Sequence, residues 1–521
     1  MALQAVQRVL AVAGLSALLL SCAPAPTAAP APGGNQPAPA AQQRFVWGFS
    51  FLQPTLHPFI SIGMEGRRFD IFEQLLTQDP TGRDVQPMLA SAWKMLDPQT
   101  YEFTLRQDGR FHDGTPLTAT DVAFSVNRAI DPEKRYPIGA SRMPTIEGAE
   151  AVDQYTVRVR TKAPDALLLK RMAYLSILPK AYLERVGDDE FSLKPIGSGP
   201  YKVREFITGD RLVLVPHAEH AWRKGKFAEV VIRNVPEASA RVAGLRTGEL
   251  HYISATPIDQ VDTLKAAGFQ YVQLDAGSSG GYRMTAINYE PLRDKRVRQA
   301  INYAIDKDAI VKGIYRGYTQ VEQGQFLQPG VFGYHPNLKP YPYDPALARR
   351  LLAEAGYPNG FDLPIEAKVD RADVAQVGQF IQDQLREVGI RATFTPIVDQ
   401  ATAEDKIFGR VQRAPLWASG LITTPYMDAD AALVWFWSGQ PPQTRYYENP
   451  EFDKYFLPSR TELDPKKREE LIWKALEVLR EDPPYLFLVQ TVEIHMYSPK
   501  LQGVTKRFDR APLLDQLSFS S

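Results

Sequence analysis

The chain has 521 residues, 44% of them hydrophobic, which is enough for a large core and predicts roughly two or three domains. Its 60 basic and 60 acidic residues leave a net charge of zero, so the composition does not indicate electrostatic binding to nucleic acid or to an acidic membrane surface. Cys22 is the single cysteine, which excludes disulfides and any cysteine-based metal site or nucleophile in the rest of the chain.

The first residues resemble an export signal. Val9 to Leu20 is an apolar run of about a dozen residues, shorter than the roughly 20 needed to span a bilayer. The sequence Leu19-Leu20-Ser21-Cys22 resembles a lipobox, in which Cys22 becomes the lipidated first residue of the mature protein. We therefore predict a lipoprotein signal peptide over residues 1–22. The alternative is an ordinary cysteine close to a signal peptide.

The next segment, residues 23–43, is rich in alanine and proline and has no apolar periodicity. This composition predicts a disordered, extended tether. A lipid, a tether and a soluble body together predict an exported protein anchored to the outer face of the cytoplasmic membrane, in a periplasmic space or at the cell surface.

Three elements follow one another in the segment from Leu89 to Arg128. Tyr101 to Leu105 alternates apolar and polar residues and predicts a half-buried strand. Asp108-Gly109 and Asp113-Gly114 predict turns. Thr118 and Asp121 have capping-box spacing and predict the start of a helix.

Apolar spacing predicts further elements along the chain. Alternation predicts a strand over Gln154–Arg160, strands are also predicted over Phe45–Phe51, Leu212–Val215 and Tyr485–Gln490, and helical spacing predicts a helix over Phe69–Leu76. Capping residues bound other helices: one capped by Asp294 and extending to Ile305, one from Asp344-Pro345 to Gly356, one from Val374 to Gly389, and one from Asp464-Pro465 to Pro483.

These motifs together resemble a known family. The strand ending in Leu105-Arg106, then Phe111-His112-Asp113-Gly114 and the helix start at Thr118 to Val122, resemble the signature of bacterial extracellular solute-binding proteins of the peptide/nickel class, family 5. That family contains the dipeptide- and oligopeptide-binding receptors of ABC importers. Pro195 to Tyr201 and Arg296 to Asp306 are similar to further stretches of the family. The resemblance extends from Phe45 to about Val504.

The resemblance implies an α/β chain with the two-lobed periplasmic-binding-protein, or Venus flytrap, fold. It implies the three-domain class, with a mixed-sheet core in each lobe. Domain I would be discontinuous, over residues 44–68, 196–282 and 488–521. Domain II would be 69–195 and domain III 283–487. The two crossings between lobes, near 282 and 488, would form the hinge.

The resemblance also implies a non-enzymatic receptor that captures a peptide-like or other small solute between its lobes and delivers it to an ABC permease. The ligand would stabilise the closed state by its greater affinity for it. The implied partners are the solute, the permease and the membrane reached through the lipid anchor. Neither a nucleic acid nor a cofactor is expected. The protein is expected to be a monomer. A sugar, opine-like or metal-chelate receptor and a signalling receptor are alternatives on the same fold.

The resemblance places the ligand against one segment of domain I and one loop of domain III. The predicted ligand-binding residues are Gly63, Met64, Glu65, Trp417, Gly420, Thr423, Thr424, Tyr426 and Asp428. Peptide-binding members pair the peptide α-ammonium with an aspartate that would fall at or near Pro425, yet nothing acidic lies between Ala414 and Met427. Because an unpaired buried ammonium costs several kcal/mol, binding of a free amino terminus requires a substitute, Asp428 or Glu65.

Catalytic and metal sites are less favoured by the sequence. It lacks Gly-x-Ser-x-Gly, His-Glu-x-x-His and Walker-type motifs. A surface-anchored hydrolase would use His112 and Asp113, but the resemblance implies that His112 is a hydrogen-bonded framework residue. His217 and His220 have metal-compatible spacing, yet two histidines alone leave a metal under-coordinated, so no metal site is predicted. Trp435-Phe436-Trp437 is favoured as core rather than as a stacking surface.

Overall fold

The computed structural model describes residues 43–60, 69–369, 371–407, 409–418, 421–422 and 426–520, all of which belong to one structural unit. The predicted signal peptide, the lipidation site Cys22 and nearly all of the predicted tether lie outside the described residues. Within the described ranges, none of the helices combines the length and the apolar character that crossing a membrane requires.

The strands are numbered in chain order. They are β1 (Arg44–Phe49), β2 (Leu76–Gln78), β3 (Val85–Pro87), β4 (Ala90–Asp97), β5 (Thr100–Leu105), β6 (Ile146–Ala151), β7 (Thr156–Thr161), β8 (Tyr201–Ile207), β9 (Arg211–Pro216), β10 (Glu229–Asn234), β11 (Tyr252–Ile253), β12 (Gln270–Ser279), β13 (Tyr282–Met284), β14 (Asp362–Lys368), β15 (Arg391–Ile397), β16 (Leu416–Ala418), β17 (Leu421–Ile422), β18 (Tyr485–Leu486), β19 (Gln490–Tyr497), β20 (Leu501–Gln502) and β21 (Ser518–Phe519).

The helices are numbered separately. They are α1 (Ala119–Ala129), α2 (Pro137–Arg142), α3 (Leu168–Met172), α4 (Lys180–Leu193), α5 (Ala238–Thr247), α6 (Ile258–Ala266), α7 (Glu290–Arg293), α8 (Lys295–Tyr303), α9 (Lys307–Ala309), α10 (Pro345–Glu354), α11 (Ala372–Glu387), α12 (Gln400–Ile407), α13 (Asp430–Leu433), α14 (Pro450–Thr461) and α15 (Pro465–Glu481). A π-helical turn (Ile310–Ile314) follows α9, and a 3-10 turn (Val434–Phe436) follows α13.

A mixed sheet with the strand order β17-β12-β19-β11-β1-β10-β9-β8 organises the first lobe. Its strand β1 pairs in parallel with β10 on one side and with β11 on the other. Every residue of β1 after Arg44 is buried, as expected for a strand covered on both faces. Trp47 and Val46 therefore point into two different core clusters.

An antiparallel sheet, β4-β5-β7-β6, belongs to the same lobe. Helix α1 packs against β6 and β7. Phe103 and Val157 of this sheet lie in one hydrophobic cluster with Phe45 and Trp47 of β1. The shared core joins the two sheets into the first lobe.

The second lobe is built on the sheet β15-β14-β16-β13-β18. Strand β14 pairs in parallel with β15 and β16, whereas β13 runs antiparallel to β16 and β18. Ile365 and Leu416 lie in a largely aliphatic cluster, and Phe436 and Tyr485 lie in an aromatic one. The sheet is thus covered on both faces, which matches the mixed-sheet core predicted for this lobe.

Strand β17, which follows β16 of the second-lobe sheet, pairs with β12 in the first-lobe sheet. Apart from this strand, the chain passes between the two lobes at two places in the described residues. It leaves β12 at Ser279 and enters β13 at Tyr282, and it returns from β18 at Leu486 to β19 at Gln490. A Cβ on Gly281 would lie 2.2 Å from the carbonyl oxygen of Leu486, so glycine lets the two crossing segments touch. The use of these crossings as a hinge stays a prediction, as do the domain boundaries.

Most local predictions are confirmed. Strands β1, β5, β7 and β9 overlap the predicted strands. Asp294, Asp344 and Asp464 each accept a backbone N–H at the start of α8, α10 and α15. The carboxylate of Asp121 accepts the backbone N–H of Thr118, as the capping-box spacing predicts.

The predicted helix over Phe69–Leu76 is wrong. Its apolar residues are buried, but β2 begins at Leu76 and no helix precedes it among the described residues of this stretch. The carbonyl of Ile71 accepts the N–H of Gly199, and the carbonyl of Leu75 accepts the N–H of Ala90. Because these carbonyls accept hydrogen bonds from other segments, they do not accept the i→i−4 bonds of a helix. The helical spacing of the apolar residues reflects burial on several sides.

The single strand predicted over Tyr485–Gln490 is also wrong. Tyr485 and Leu486 pair with β13 in the second lobe, whereas Gln490 begins β19 in the first. The interruption falls where the chain crosses between lobes, which an uninterrupted apolar run does not reveal.

Candidate functional site

The described end of the loop after β16 lies at the interface between the lobes. Tyr426 is buried in the hydrophobic cluster of the first lobe, although its chain segment belongs to the second. Its hydroxyl donates to the carbonyl oxygen of Arg142 at 2.9 Å. The guanidinium of Arg171 lies 5.4 Å from the centre of the Tyr426 ring, and Tyr174 meets that ring edge-on. First-lobe groups therefore hold Tyr426 on several sides.

Lys170 of α3 reaches the same loop from the first lobe. Its Nζ donates to the carbonyl oxygen of Tyr426 at 2.7 Å and to that of Met427 at 3.4 Å. The same atom lies 4.0 Å from Oδ2 of Asp428. Burial lowers the pKa of the Lys170 ammonium, and the negative charge of Asp428 opposes that shift. The ammonium thus lies in a cage of two carbonyls and a carboxylate.

Asp428 forms a two-pronged ion pair with Arg468 of α15. Both of its carboxylate oxygens lie 2.7 Å from guanidinium nitrogens of Arg468, and Asp428 is only 1% exposed. Burial alone raises the pKa of Asp428, but the charge and hydrogen bonds of Arg468 outweigh it and hold that pKa below its ordinary value. The carboxylate is therefore already engaged, and its contact with a ligand stays a prediction.

Further charged groups surround this contact. Arg171 donates through Nε to Asp165 at 2.7 Å, and Arg460 donates through Nε to Asp430 at 2.8 Å. The carbonyl of Arg460 accepts the backbone N–H of Ala166 at 3.3 Å, which is another hydrogen bond between the lobes. The interface is thus rich in charged and hydrogen-bonded groups, like the polar interfaces between domains that separate and close again.

A second set of contacts lies beside the first. Arg83, in the turn between β2 and β3, donates through Nε to the carbonyl of Gly330 at 3.0 Å. Gln78 donates to the carbonyl of Gly82 at 2.8 Å and lies 3.4 Å from the carbonyl of Tyr426. The β2–β3 hairpin therefore contacts the second lobe through side chains that donate to backbone carbonyls of that lobe.

Trp417 lies in β16, directly opposite Arg283 of β13. Trp417 is buried, and its indole N–H has no hydrogen-bond partner within the described part of the chain. The guanidinium of Arg283 lies 4.7 Å from the Trp435 ring and 5.2 Å from the Tyr446 ring. These aromatic side chains pack around a buried cation, and a ligand contact by Trp417 stays a prediction. Phe436, between the two tryptophans, is buried in the core as expected.

A buried carboxyl group contacts both crossings between the lobes. Glu322 accepts a hydrogen bond from the Ser279 hydroxyl at the end of β12. Its other oxygen accepts the backbone N–H of Leu488, on the return crossing, at 3.1 Å. The Tyr485 hydroxyl lies 2.8 Å from Oγ of Ser279. Burial raises the pKa of Glu322 to about 8. One side chain thus connects the two segments that join the lobes.

The three histidines that the sequence offers for chemistry are each hydrogen-bonded to the protein within the described residues. Nδ1 of His112 accepts the N–H of Gly197, and its Nε2 lies 3.0 Å from the carbonyl of Gly199, so the framework role expected for His112 is confirmed. Burial lowers the pKa of His112 to about 3, and neither ring nitrogen is left to act as a base. His217 contacts the same carbonyl and His220 contacts Glu73. No group of metal-ligating side chains large enough for a metal ion occurs in the described ranges.

The remaining predicted site residues cannot be placed in this geometry. Gly63, Met64, Glu65, Gly420, Thr423 and Thr424 lie outside the described residues, as does Pro425. Sequence reasoning missed Lys170 and Arg171, whose signal was two cations inside the apolar run from Leu167 to Leu178. It also missed Arg468 and Glu322, for which the sequence gives no comparable signal.

Comparisons with known proteins agree with this architecture. Residues 84–444 match the family described as bacterial extracellular solute-binding proteins, family 5 Middle. The chain is 30% identical over 434 residues to the glutathione-binding protein GsiB of Escherichia coli (strain K12), in an alignment that covers 80% of this chain and 82% of that protein. The chain belongs to family 5 of the bacterial extracellular solute-binding proteins.

Solved structures show the same two-lobed fold. The periplasmic binding protein DppA of Helicobacter pylori, in complex with the peptide STSA, has a TM-score of 0.80 and 26% identity and covers 92% of this chain and 98% of its own. NikZ of Campylobacter jejuni, in complex with Ni(L-His), has a TM-score of 0.81 at 21% identity and covers 92% of this chain and 100% of its own, which shows the fold alone. The protein is thus the extracellular substrate-binding component of an ABC importer, a transport receptor and not an enzyme.

Proposed function

We propose that this receptor captures a small peptide-like solute between its lobes and passes it to a membrane permease. The observation that carries the proposal is the charged interface at Tyr426 and Asp428, where groups of one lobe are buried against the other. The names of the relatives support the ligand class, since GsiB is a glutathione-binding protein and DppA of Helicobacter pylori was solved with a peptide.

The solute would lie next to the loop that follows β16 and against the domain I segment after β1. Its proposed contacts are Gly63, Met64, Glu65, Trp417, Gly420, Thr423, Thr424, Tyr426 and Asp428. The proposed division of the chain has three domains: domain I over 44–68, 196–282 and 488–521, domain II over 69–195 and domain III over 283–487. The segments near 282 and 488 would act as the hinge.

In this proposal the amino group of the solute contributes little to binding. The only acidic residues in the stretch from Ala414 to Asp430 are Asp428 and Asp430, and each is paired with an arginine. A carboxylate that already accepts two charged hydrogen bonds has little to gain from a third cation. Solutes whose amino terminus is blocked or conjugated should therefore bind about as well as free peptides.

Native mass spectrometry of the purified chain, followed by denaturing identification of the retained solute, tests this proposal. Retention of peptides or of one peptide conjugate supports it. Tyr426→Ala should lose the solute, whereas Tyr343→Ala, which alters a tyrosine that is 42% exposed, should keep it. A chain that retains no solute and is not stabilised against heat by glutathione, by short peptides or by nickel–histidine contradicts the proposal.

The mature protein is proposed to be a monomer anchored through lipid on Cys22, with residues 23–43 as its tether. The lipobox-like sequence ending at Cys22 and the alanine- and proline-rich composition after it support this location. Intact mass should show an acylated amino-terminal cysteine after removal of residues 1–21. Cys22→Ala should release the protein from the membrane fraction, and an unchanged membrane fraction would contradict the anchor.

A further inference from the structure

The ammonium of Lys170 has the surroundings of a bound cation. It donates to the carbonyl oxygens of Tyr426 and Met427 and lies 4.0 Å from the carboxylate of Asp428. Carbonyl and carboxylate oxygens in a dry setting are the groups that a ligand ammonium also needs. The cation in this cage comes from the protein itself.

The cage and its cation belong to different lobes. Lys170 lies on α3, whose Leu168 and Met172 are part of the first-lobe core, whereas Asp428 is fixed by Arg468 of the second lobe. Separation of the lobes would break both Lys170 hydrogen bonds and the contact of its ammonium with Asp428. These are charge-assisted contacts, so their loss weighs more than that of a neutral hydrogen bond.

The neighbouring contacts between the lobes are of a different kind. The Tyr426 hydroxyl and the Arg142 carbonyl form a neutral hydrogen bond, as do Ala166 and Arg460 through their backbones. Arg171 stacks on the Tyr426 ring and its Nη1 donates to the Tyr426 hydroxyl at 3.4 Å, but its Nε is bound to the carboxylate of Asp165 in its own lobe. Among these contacts, Lys170 is the one that brings a full charge of one lobe to a carboxylate of the other.

We propose that Lys170 is an interlobe latch, and that its ammonium fills the cation site formed by the Tyr426 and Met427 carbonyls and Asp428. This inference rests on the proposed function, because it assumes that the lobes separate and close. The latch lowers the free energy of the closed form without a contribution from the solute. It also makes Lys170 a specificity-determining residue, since a solute amino group finds the cage occupied.

The test measures the distance between the lobes directly. Cys22→Ser gives a chain without cysteine, in which Val152→Cys of the first lobe and Leu457→Cys of the second are exposed positions for a pair of spin labels. Pulsed electron–electron double resonance then gives the distribution of distances between the two spin labels in the solute-free protein. Lys170→Met should raise the ratio of open to closed protein by about tenfold or more, the effect expected for a lost hydrogen bond to a charged group.

A matched lysine provides the control. Lys162 also donates its ammonium to a backbone carbonyl, that of Pro144, but within its own lobe. Lys162→Met should leave the distances unchanged. If Lys170→Met gives the same distribution as the unsubstituted chain, the latch does not exist.

Chemical rescue distinguishes a filled cation site from a merely structural lysine. Lys170→Ala removes the side chain and leaves the cage empty. Methylammonium should then return the distribution of this variant toward shorter distances, while tetramethylammonium, which cannot donate hydrogen bonds, should not. Failure of methylammonium to act on a folded Lys170→Ala protein overturns the cation-site assignment.

The outcomes separate this inference from the proposed function. If a retained solute shortens the distance but Lys170→Met has no effect, the latch is wrong and the receptor proposal stands. If neither the solute nor the variant changes the distance, the lobes do not move and both are wrong. Tyr426→Phe, which removes the hydroxyl's bond to the Arg142 carbonyl and its 3.4 Å hydrogen bond from Arg171, gives a second opening variant should Lys170→Met not fold.

Discussion

Removal of the guanidinium at position 468 should destabilise the second lobe strongly. Arg468→Met keeps most of the apolar stem but removes the two hydrogen bonds that Arg468 donates to Asp428, which is only 1% exposed and keeps the bond from the Asp430 N–H. Breaking a buried ion pair from one side costs about 3–5 kcal/mol, because the remaining charge is desolvated and unpaired. Lys170, 4.0 Å from the same carboxylate, compensates in part, so we expect about 3 kcal/mol.

Urea unfolding followed by tryptophan fluorescence measures this loss. The double variant Asp428→Asn with Arg468→Met should be more stable than Arg468→Met alone, because it removes the uncompensated charge. The matched control is the exposed pair of Glu451 and Lys454, whose side chains are 52% and 59% exposed; Lys454→Met should leave the unfolding midpoint unchanged. A loss below about 1 kcal/mol for Arg468→Met would refute the view that Asp428 depends on Arg468.

Three further substitutions test the crossings and the framework. Gly281→Ala should lower the melting temperature, because its Cβ would lie 2.2 Å from a carbonyl oxygen, whereas Gly313→Ala, with open space around the new Cβ, should not. Glu322→Gln should gain stability over the unsubstituted chain as pH rises from about 5 to 8, because a carboxyl with a raised pKa resists ionisation when folded and ionises freely when unfolded. His112→Gln should remove the part of the stability loss that develops as pH falls below about 6.5, since folded His112 stays neutral while unfolded histidine binds a proton.

Each of these three has a contradicting result. Equal melting temperatures for Gly281→Ala and Gly313→Ala would mean that the crossing segments have room to move apart. A difference between Glu322→Gln and the unsubstituted chain that does not vary with pH would mean that the carboxyl group is hydrated in the folded protein. Parallel stability curves for His112→Gln and the unsubstituted chain below pH 6 would mean that His112 is accessible to protons.

Local sequence signals predicted the elements whose hydrogen bonds are local. Asp294, Asp344 and Asp464 cap helices through backbone groups two or three residues away, so their spacing was sufficient. The alternation of Tyr101 to Leu105 survives as β5 because one face of that strand is more buried than the other. The motif around Phe111 to Gly114 identified the family, and with it the two-lobed fold.

Predictions failed where the backbone bonds to distant segments. The apolar residues from Phe69 to Leu76 have helical spacing because other segments bury this stretch on several sides. Its carbonyls accept hydrogen bonds from the backbone near residues 90 and 199. Tyr485 to Gln490 reads as one strand because both lobes bury it, but it contributes to two sheets. The first stretch is enclosed by other segments of the first lobe and the second lies where the chain crosses between lobes, and single-sequence periodicity contains neither kind of information.

The sequence pointed to the loop around Asp428 but gave no sign of the charged groups that surround this carboxylate in the structure. The absence of an acidic residue between Ala414 and Met427 drew attention to Asp428 as the nearest carboxylate, and its contact with a ligand stays a prediction. Its partner Arg468 is 40 residues further along the chain, and Lys170 is 258 residues before it, so no local pattern connects them. The pairing of Asp428 with Arg468 is therefore set by the tertiary fold of the second lobe.

The most direct test of the receptor account is solute-dependent closure of the two lobes. Small-angle X-ray scattering should be recorded on the chain with its retained solute and again after the solute has been removed by reversible unfolding and refolding. The account predicts a smaller radius of gyration with solute, and a return to the smaller value when the identified solute is added back. An identical radius of gyration in all three samples would contradict capture between moving lobes.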